Sequence, residues 1–146
     1  MYSHILVAVE HSAADATILA HAQALAKLMG SRVTLVHVAD GWAARNYDAL
    51  ALRESEEMID DRAYLDRLVG EIQSNGIRVD STLAKGDPAT EIVRVAEETG
   101  VDLIAMATHA RRGVERAMAG SVATAVLHET RLPMLLLNMR RLDKPR

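Results

Sequence analysis

The sequence predicts an α/β fold: a doubly wound, five-stranded parallel sheet with helices on both faces. Three observations predict it. Apolar runs of strand length alternate with longer segments of helical periodicity. Runs such as Ile5-Leu-Val-Ala-Val9 are continuous rather than alternating, as in parallel strands covered on both faces. The intervening segments close at Gly30, Gly76 and Gly100, and glycine is the residue that ends helices most easily.

Each element follows in order. Ile5 to Val9 is the first strand. Ser12 can cap the next helix, with Asp15 three residues on completing a capping box. Ile18, Ala22, Leu25 and Met29 fall on one face of that helix. Val33 to Val38 is the second strand. Asp40 to Arg53 reads as a loop, on the strength of Gly41-Trp42 and a mixed composition. Leu65, Leu68, Val69 and Ile72 mark an amphipathic helix closed by Asn75-Gly76. Ile77 to Leu83 is a third strand, and its partial alternation predicts a place near a sheet edge. Asp87 and Pro88 open the next helix as N-cap and first helical residue, with Ile92, Val93 and Ala96 facing inward. Val101 to Met106 is the fourth strand. A helix runs from Ser121 to Glu129, and Pro133 to Leu137 is the fifth strand. The basic tail Arg140 to Arg146 is expected to fray.

At 146 residues the chain reads as one domain, residues 1–146, long enough to bury a core. A net charge of −3 and a single Trp argue against a nucleic-acid partner, which needs basic surface and stacking platforms. Without cysteine there are no disulfides, thiolate metal sites or thiol chemistry, which fits a reducing cytoplasm. No apolar run approaches the length that a signal peptide or a membrane span needs.

Such sheets bind ligands at the carboxyl ends of their strands, near the point where strand order reverses. The segments of interest are therefore Glu10–Ser12, Val38–Asp40, Leu83–Asp87 and Ala107–Ser121. The last is the most telling. Ala107-Thr-His-Ala-Arg-Arg-Gly113 follows a strand and leads to Gly120-Ser121 at a helix start. Helix N-terminal N–H groups and the helix dipole favour a phosphate there. Arg111 and Arg112 add guanidinium charge suited to phosphate oxygens, and His109 can donate to one. The same segment is equally readable as a solvated basic loop.

These residues resemble the universal stress protein family. The likeness spans Ile5-Leu-Val-Ala-Val-Glu-His-Ser12 to Pro133-Met-Leu-Leu-Leu137 and includes Gly86-Asp-Pro88. Nucleotide-binding members carry G-x2-G-x9-G-[S/T] after the fourth strand. Here the same frame reads Ala107, Ala110, Gly120-Ser121, so two of its three glycines are alanine. The resemblance implies a Rossmann-like fold of the adenine-nucleotide-binding type. It implies ATP, alone or with Mg2+, as ligand, with ADP, AMP and cyclic AMP as alternatives. It places Val9, Val38, Met106 and Ala107 near base and ribose, and Glu10 near the ribose hydroxyls, the adenine or the metal–phosphate group. His109, Ala110, Arg111, Gly120, Ser121, Val122 and Ala123 fall on the phosphate side. It also implies a homodimer paired through the fifth strand, Met134 to Leu137, and a regulatory role toward an unidentified protein partner. Any ATPase activity is expected to be slow or absent.

Two other readings stay open. One is a nucleotide-free dimeric interaction protein of the same fold, consistent with Ala107 and Ala110. The other is a slow nucleotide hydrolase. Further constellations lack support. His11, His37 and His109 show no close ligand spacing for a metal. His11, Ser12 and Asp15 are sequence neighbours and poor material for a hydrolytic triad. No Walker lysine motif occurs, and the acids of a receiver domain are missing.

Overall fold

The computed structural model describes residues 1–39, 47–108 and 122–139, with the backbone alone over 47–55. The elements are β1 (His4–Ala8), α1 (Ala14–Met29), β2 (Arg32–Ala39), α2 (Tyr47–Ser74), β3 (Val79–Lys85), α3 (Pro88–Thr99), β4 (Leu103–Thr108), α4 (residues 122–129) and β5 (Met134–Asn138). The five strands are parallel throughout, in the order β3-β2-β1-β4-β5. The chain winds outward from β1 to β3, then returns to place β4 on the other side of β1. Strand order therefore reverses between β1 and β4, and their carboxyl ends flank the crevice expected of such sheets.

Both faces of the sheet are covered, which is why the central strands β1 and β4 are apolar at nearly every position. Ile5, Val7, Leu35, Leu103 and Ala105 pack with Ile18, Leu19 and Ala22 of α1 and Leu65, Leu68 and Ile72 of α2. Leu6, Val36, Ile104 and Met106 point the other way, onto Ile92 and Val95 of α3 and Val126 of α4. The alternation along β1 and β4 is the two-residue period of a strand, written here with apolar residues on both sides.

The predicted and observed elements differ in three informative places. The strands expected at Ile77 and Val101 begin two residues later, at Val79 and Leu103. Both early residues are apolar because they seal a helix end. Gly100 is left-handed (φ 70°) and the Val101 N–H returns 3.3 Å to the Ala96 carbonyl, so Val101 is buried against α3. Ile77 follows Gly76 (φ 83°) in the same way. The second difference is α2. Tyr47 to Arg53, read as part of a loop, is the first part of a 28-residue helix. Its Ala, Leu and Arg residues are strong helix formers, and this outweighs the missing apolar stripe. Third, α1 is assigned from Ala14 with Ala13 at the cap position. Ser12 still serves the helix start: its Oγ accepts from the Ala14 N–H at 3.2 Å, and its own N–H donates to Asp15 Oδ2 at 3.2 Å.

The cap at α3 is as predicted. Asp87 Oδ2 accepts from the Thr90 N–H at 3.0 Å and from the Thr90 hydroxyl at 2.9 Å. These bonds hold the Asp87 carboxyl below its ordinary pKa. On the inner face of α3, Ile92 and Ala96 are buried, with Val95 in addition, while Val93 is only half-buried. The segments 40–46, 109–121 and 140–146, including the expected basic loop and tail, lie outside the described residues.

Candidate functional site

A crevice opens at the carboxyl edge of the sheet, around the β1–β4 reversal. Its volume is about 390 Å³, within the usual size of small-molecule sites. It straddles the sheet edge. On one side stand the start of α3 (Pro88, Ile92) and the start of α4 (Val122, Ala123); on the other stands α2 with Glu57, Met58 and Asp61. Between them lie the ends of β1, β2 and β4.

The seven described residues that the resemblance implied as nucleotide contacts line this one crevice, whereas His11, Ser12 and Leu83–Asp87, from the other segments of interest, do not. Val9 and Glu10 come from the end of β1, Val38 from β2, Met106 and Ala107 from β4, and Val122 and Ala123 from α4. Val9, Met106 and Ala123 are buried, so their apolar surfaces are fixed by core packing. The Val9 N–H donates to the Val36 carbonyl at 2.9 Å, which carries the pairing of β1 and β2 up to the crevice rim. Glu10 is exposed, and its Oε2 accepts from the Ser12 hydroxyl at 2.8 Å. His109, Ala110, Arg111, Gly120 and Ser121 lie outside the described residues.

Asp61 on the rim was not anticipated, and it gathers two of the histidines considered above. His37 stands between the Val9 carbonyl oxygen, 2.9 Å from its Nδ1, and Asp61 Oδ2, 3.3 Å from its Nε2. Asp61 Oδ1 lies 2.9 Å from His11 Nδ1. The His11 ring in turn stacks on Tyr64 at 4.0 Å. A signal for Asp61 was present in the sequence. Met58, Asp61, Leu65, Leu68 and Ile72 are spaced by three or four residues, so this carboxylate sits on the apolar stripe of its helix. A charge on such a stripe needs a partner, and here it has two imidazoles.

Asp15, expected as a capping-box residue, does more than that. It is 2% exposed. Its carboxylate accepts from the backbone N–H groups of Glu10 (2.9 Å), His11 (2.9 Å) and Ser12 (3.2 Å), and from the Tyr64 hydroxyl (2.5 Å). Burial, then the bond to Asp15, push the Tyr64 hydroxyl well above its ordinary pKa. The turn after β1 thus forms a nest of N–H groups, filled by the chain's own carboxylate. That nest is closed to an external phosphate. His11 pairs with Asp61 rather than with Ser12, so no triad forms. Among the described residues no group of three or more His, Asp or Glu side chains is placed to hold a metal ion.

The fold and the crevice define a Rossmann-like α/β protein with a ligand-sized site at the switch point of its sheet. The chain belongs to the universal stress protein family: residues 1–138 match the family's model. It is 26% identical over 157 aligned residues to universal stress protein MJ0577 of Methanocaldococcus jannaschii, covering 96% of this chain and 97% of that one. The solved structure of MJ0577 superimposes with a TM-score of 0.83, covering 94% and 96% of the two chains. The universal stress protein from Archaeoglobus fulgidus, solved in complex with dAMP, is 25% identical with a TM-score of 0.69, covering 92% and 97%. A universal stress protein in complex with cAMP shares the fold at a TM-score of 0.69 and 14% identity, covering 94% and 97%. Among the described residues no helix is long and apolar enough to cross a membrane.

Proposed function

We propose that this protein binds an adenine nucleotide, ATP first, and acts as a regulatory stress-response module rather than as an enzyme. The observation that carries the reading is the crevice itself. Seven residues nominated by the family's nucleotide loop and strand ends (Val9, Glu10, Val38, Met106, Ala107, Val122, Ala123) line one cavity of about 390 Å³. The dAMP complex of the Archaeoglobus fulgidus relative supports an adenine ligand for this family member too.

Val9, Val38 and Met106 supply apolar surface for a base, and Glu10 an acceptor for ribose hydroxyls. The described lining residues include Glu10, Glu57 and Asp61 but no Lys or Arg. Phosphates are therefore assigned away from α2, to the start of α4 with Gly120 and Ser121, helped by His109, Arg111 and the Ala110 backbone. Mg2+ would enter with the phosphates, and ADP, AMP or cyclic AMP would use the same base contacts. Turnover is at most slow. The working unit is a single domain, residues 1–146, in a cytoplasmic homodimer paired through Met134 to Leu137, read by an unidentified protein partner.

The test is mass spectrometry of small molecules released from the freshly purified, denatured protein. Calorimetric titration with Mg-ATP, ADP, AMP and cyclic AMP accompanies it. A stoichiometric adenine nucleotide, or micromolar binding weakened by Ser121→Ala with Arg111→Ala, establishes the reading. No ligand and no heat at millimolar nucleotide would favour the second reading, a nucleotide-free dimeric interaction protein. What favours that alternative is Ala107 and Ala110 standing where the family motif has glycine.

A further inference from the structure

The turn that ends β1 is held by two helices at once. From α1, Asp15 takes the N–H groups of Glu10, His11 and Ser12. From α2, Asp61 takes the His11 ring at 2.9 Å, and Tyr64, one helical turn on, stacks beneath the same ring and bonds Asp15. His11 pays for this position with a left-handed backbone, φ 59°, which a non-glycine residue adopts only when its surroundings enforce it.

The crevice meets this clamp on both sides. Val9 and Glu10 line it just before the turn, and Glu57, Met58 and Asp61 line it from α2. Asp61 is also tied to β2 through His37, whose side chain is 11% exposed. A ligand that touches the β1 end and the β2 end therefore bears on residues directly connected to one carboxylate of α2. Glu10 adjoins His11 in the chain, and the His11 ring contacts both Asp61 and Tyr64.

We propose that Asp61 is a positioning residue that couples occupancy of the crevice to α2: through His11 and His37 it holds residues 57–65 against the site, and a bound ligand orders them. The proposal rests on the nucleotide reading above and adds its output, a change in α2 rather than only in the loop after β4. Coupling of this kind needs an element whose order differs between the empty and filled states, and exchange of its backbone amides reports that difference.

The experiment is hydrogen–deuterium exchange of the full chain, with and without saturating ATP, in parallel with calorimetry. The variants are Asp61→Asn and His11→Asn. His11 does not line the crevice, and Asn tolerates the left-handed backbone while lacking the ring that reaches Asp61. Urea unfolding confirms that each variant is folded. In the wild type, ATP should slow exchange in residues 57–65 by about tenfold and also protect the start of α4. In His11→Asn at saturating ATP, protection of α4 should persist while that of residues 57–65 is lost. Asp61→Asn should likewise lose the protection of residues 57–65; because Asp61 itself lines the crevice, its affinity for ATP is read separately by calorimetry. If ATP binds but residues 57–65 gain no protection, or gain it equally in both variants, the coupling is overturned and the nucleotide reading stands. If calorimetry detects no nucleotide binding by the wild type, both are overturned.

Discussion

Tyr64 donates its hydroxyl hydrogen to Asp15 Oδ2 at 2.5 Å, and this bond ties α2 to α1 at the carboxylate that closes the β1 turn. Three backbone donors and one phenol converge on a side chain that is almost fully buried. Removing such an acceptor leaves its donors unsatisfied, and this costs more than the bonds contribute net.

Asp15→Ala should therefore destabilise the fold by about 3 kcal/mol in urea unfolding, among the larger single-residue effects. Tyr64→Phe alone should cost about 1.5 kcal/mol, because the carboxylate keeps its backbone donors. In the Asp15→Ala background Tyr64→Phe should cost much less, since the shared partner is gone. Additive losses in the double variant would mean that the phenol does not act through Asp15.

Stability should fall in acid through two groups near the amino end of the sheet. Asp102 accepts from the Ser3 N–H (2.9 Å), the Ser3 hydroxyl (3.0 Å) and the His4 N–H (3.0 Å). Burial pulls its pKa up, but these bonds outweigh it, and the net shift is downward from 3.8. The folded state thus binds fewer protons than the unfolded one. The stability from Asp102 is present above the unfolded value and is lost as pH falls through the lower folded value. His4 is shifted down from 6.5, first by burial and next by the Arg32 charge, against raising contributions from Asp80 and Asp102. The fold favours its neutral form, with Nε2 2.7 Å from the Thr34 hydroxyl, so it costs stability as pH drops below 6.5. Urea midpoints should decline in two stages, below about pH 6.5 and again below about pH 4. Asp102→Asn should lose stability at neutral pH and converge on the wild type at about pH 2. A constant gap between the two across that range would exclude the linkage.

The α3 cap offers a smaller and cleaner effect. Asp87→Ala removes the acceptor of the Thr90 N–H and hydroxyl. It should cost about 1 kcal/mol, whereas Asp87→Ser should recover most of that. Thermal unfolding of the three proteins decides it; a Ser variant as weak as the Ala variant would mean that the cap is not the cause.

The strands were legible in the sequence because burial on both faces leaves Ile5 to Val9 wholly apolar and Val33 to Val38 interrupted only by Thr34 and His37. Helix ends were legible because Gly30 and Gly100 are left-handed, at φ 69° and 70°. The apolar site residues were legible as strand ends of a doubly wound sheet, since topology alone brings Val9, Val38 and Met106 together. Asp61 was not, because its meaning depends on where α2 lies, and the beginning of α2, Tyr47 to Arg53, reads as loop in the sequence. A carboxylate on an apolar stripe looks like a lapse in periodicity until two imidazoles are found against it. Asp15 was recognised as a helix-start residue, but its Tyr64 partner is 49 residues away, beyond any local pattern.

If the crevice takes a nucleotide, its floor is sensitive to added volume. Ala107 is half-buried at the carboxyl end of β4, beside Leu137 in β5, and lines the cavity. Ala107→Leu should weaken ATP binding by at least about tenfold, about 1.4 kcal/mol, with little change in the urea midpoint. Ala107→Gly should bind at least as well as the wild type. Calorimetry on the three proteins gives the answer, and equal affinities across the series would move the ligand away from β4.

The β5 edge carries the last prediction. Among the described residues β5 pairs only with β4, which makes Met134–Leu137 an edge of the sheet. Leu136 is 41% exposed there. An apolar edge strand of this kind invites pairing with another chain, and a two-fold axis satisfies both copies at once. Leu136→Lys places a charge on that edge, as natural sheets do to keep edges single. In light scattering the wild type should have the mass of a dimer, and Leu136→Lys should shift toward the monomer as concentration falls. The fold itself should be unaffected, because this side chain is outside both halves of the core. A wild-type monomer, or a variant dimer as tight as the wild type, would remove β5 as the pairing surface.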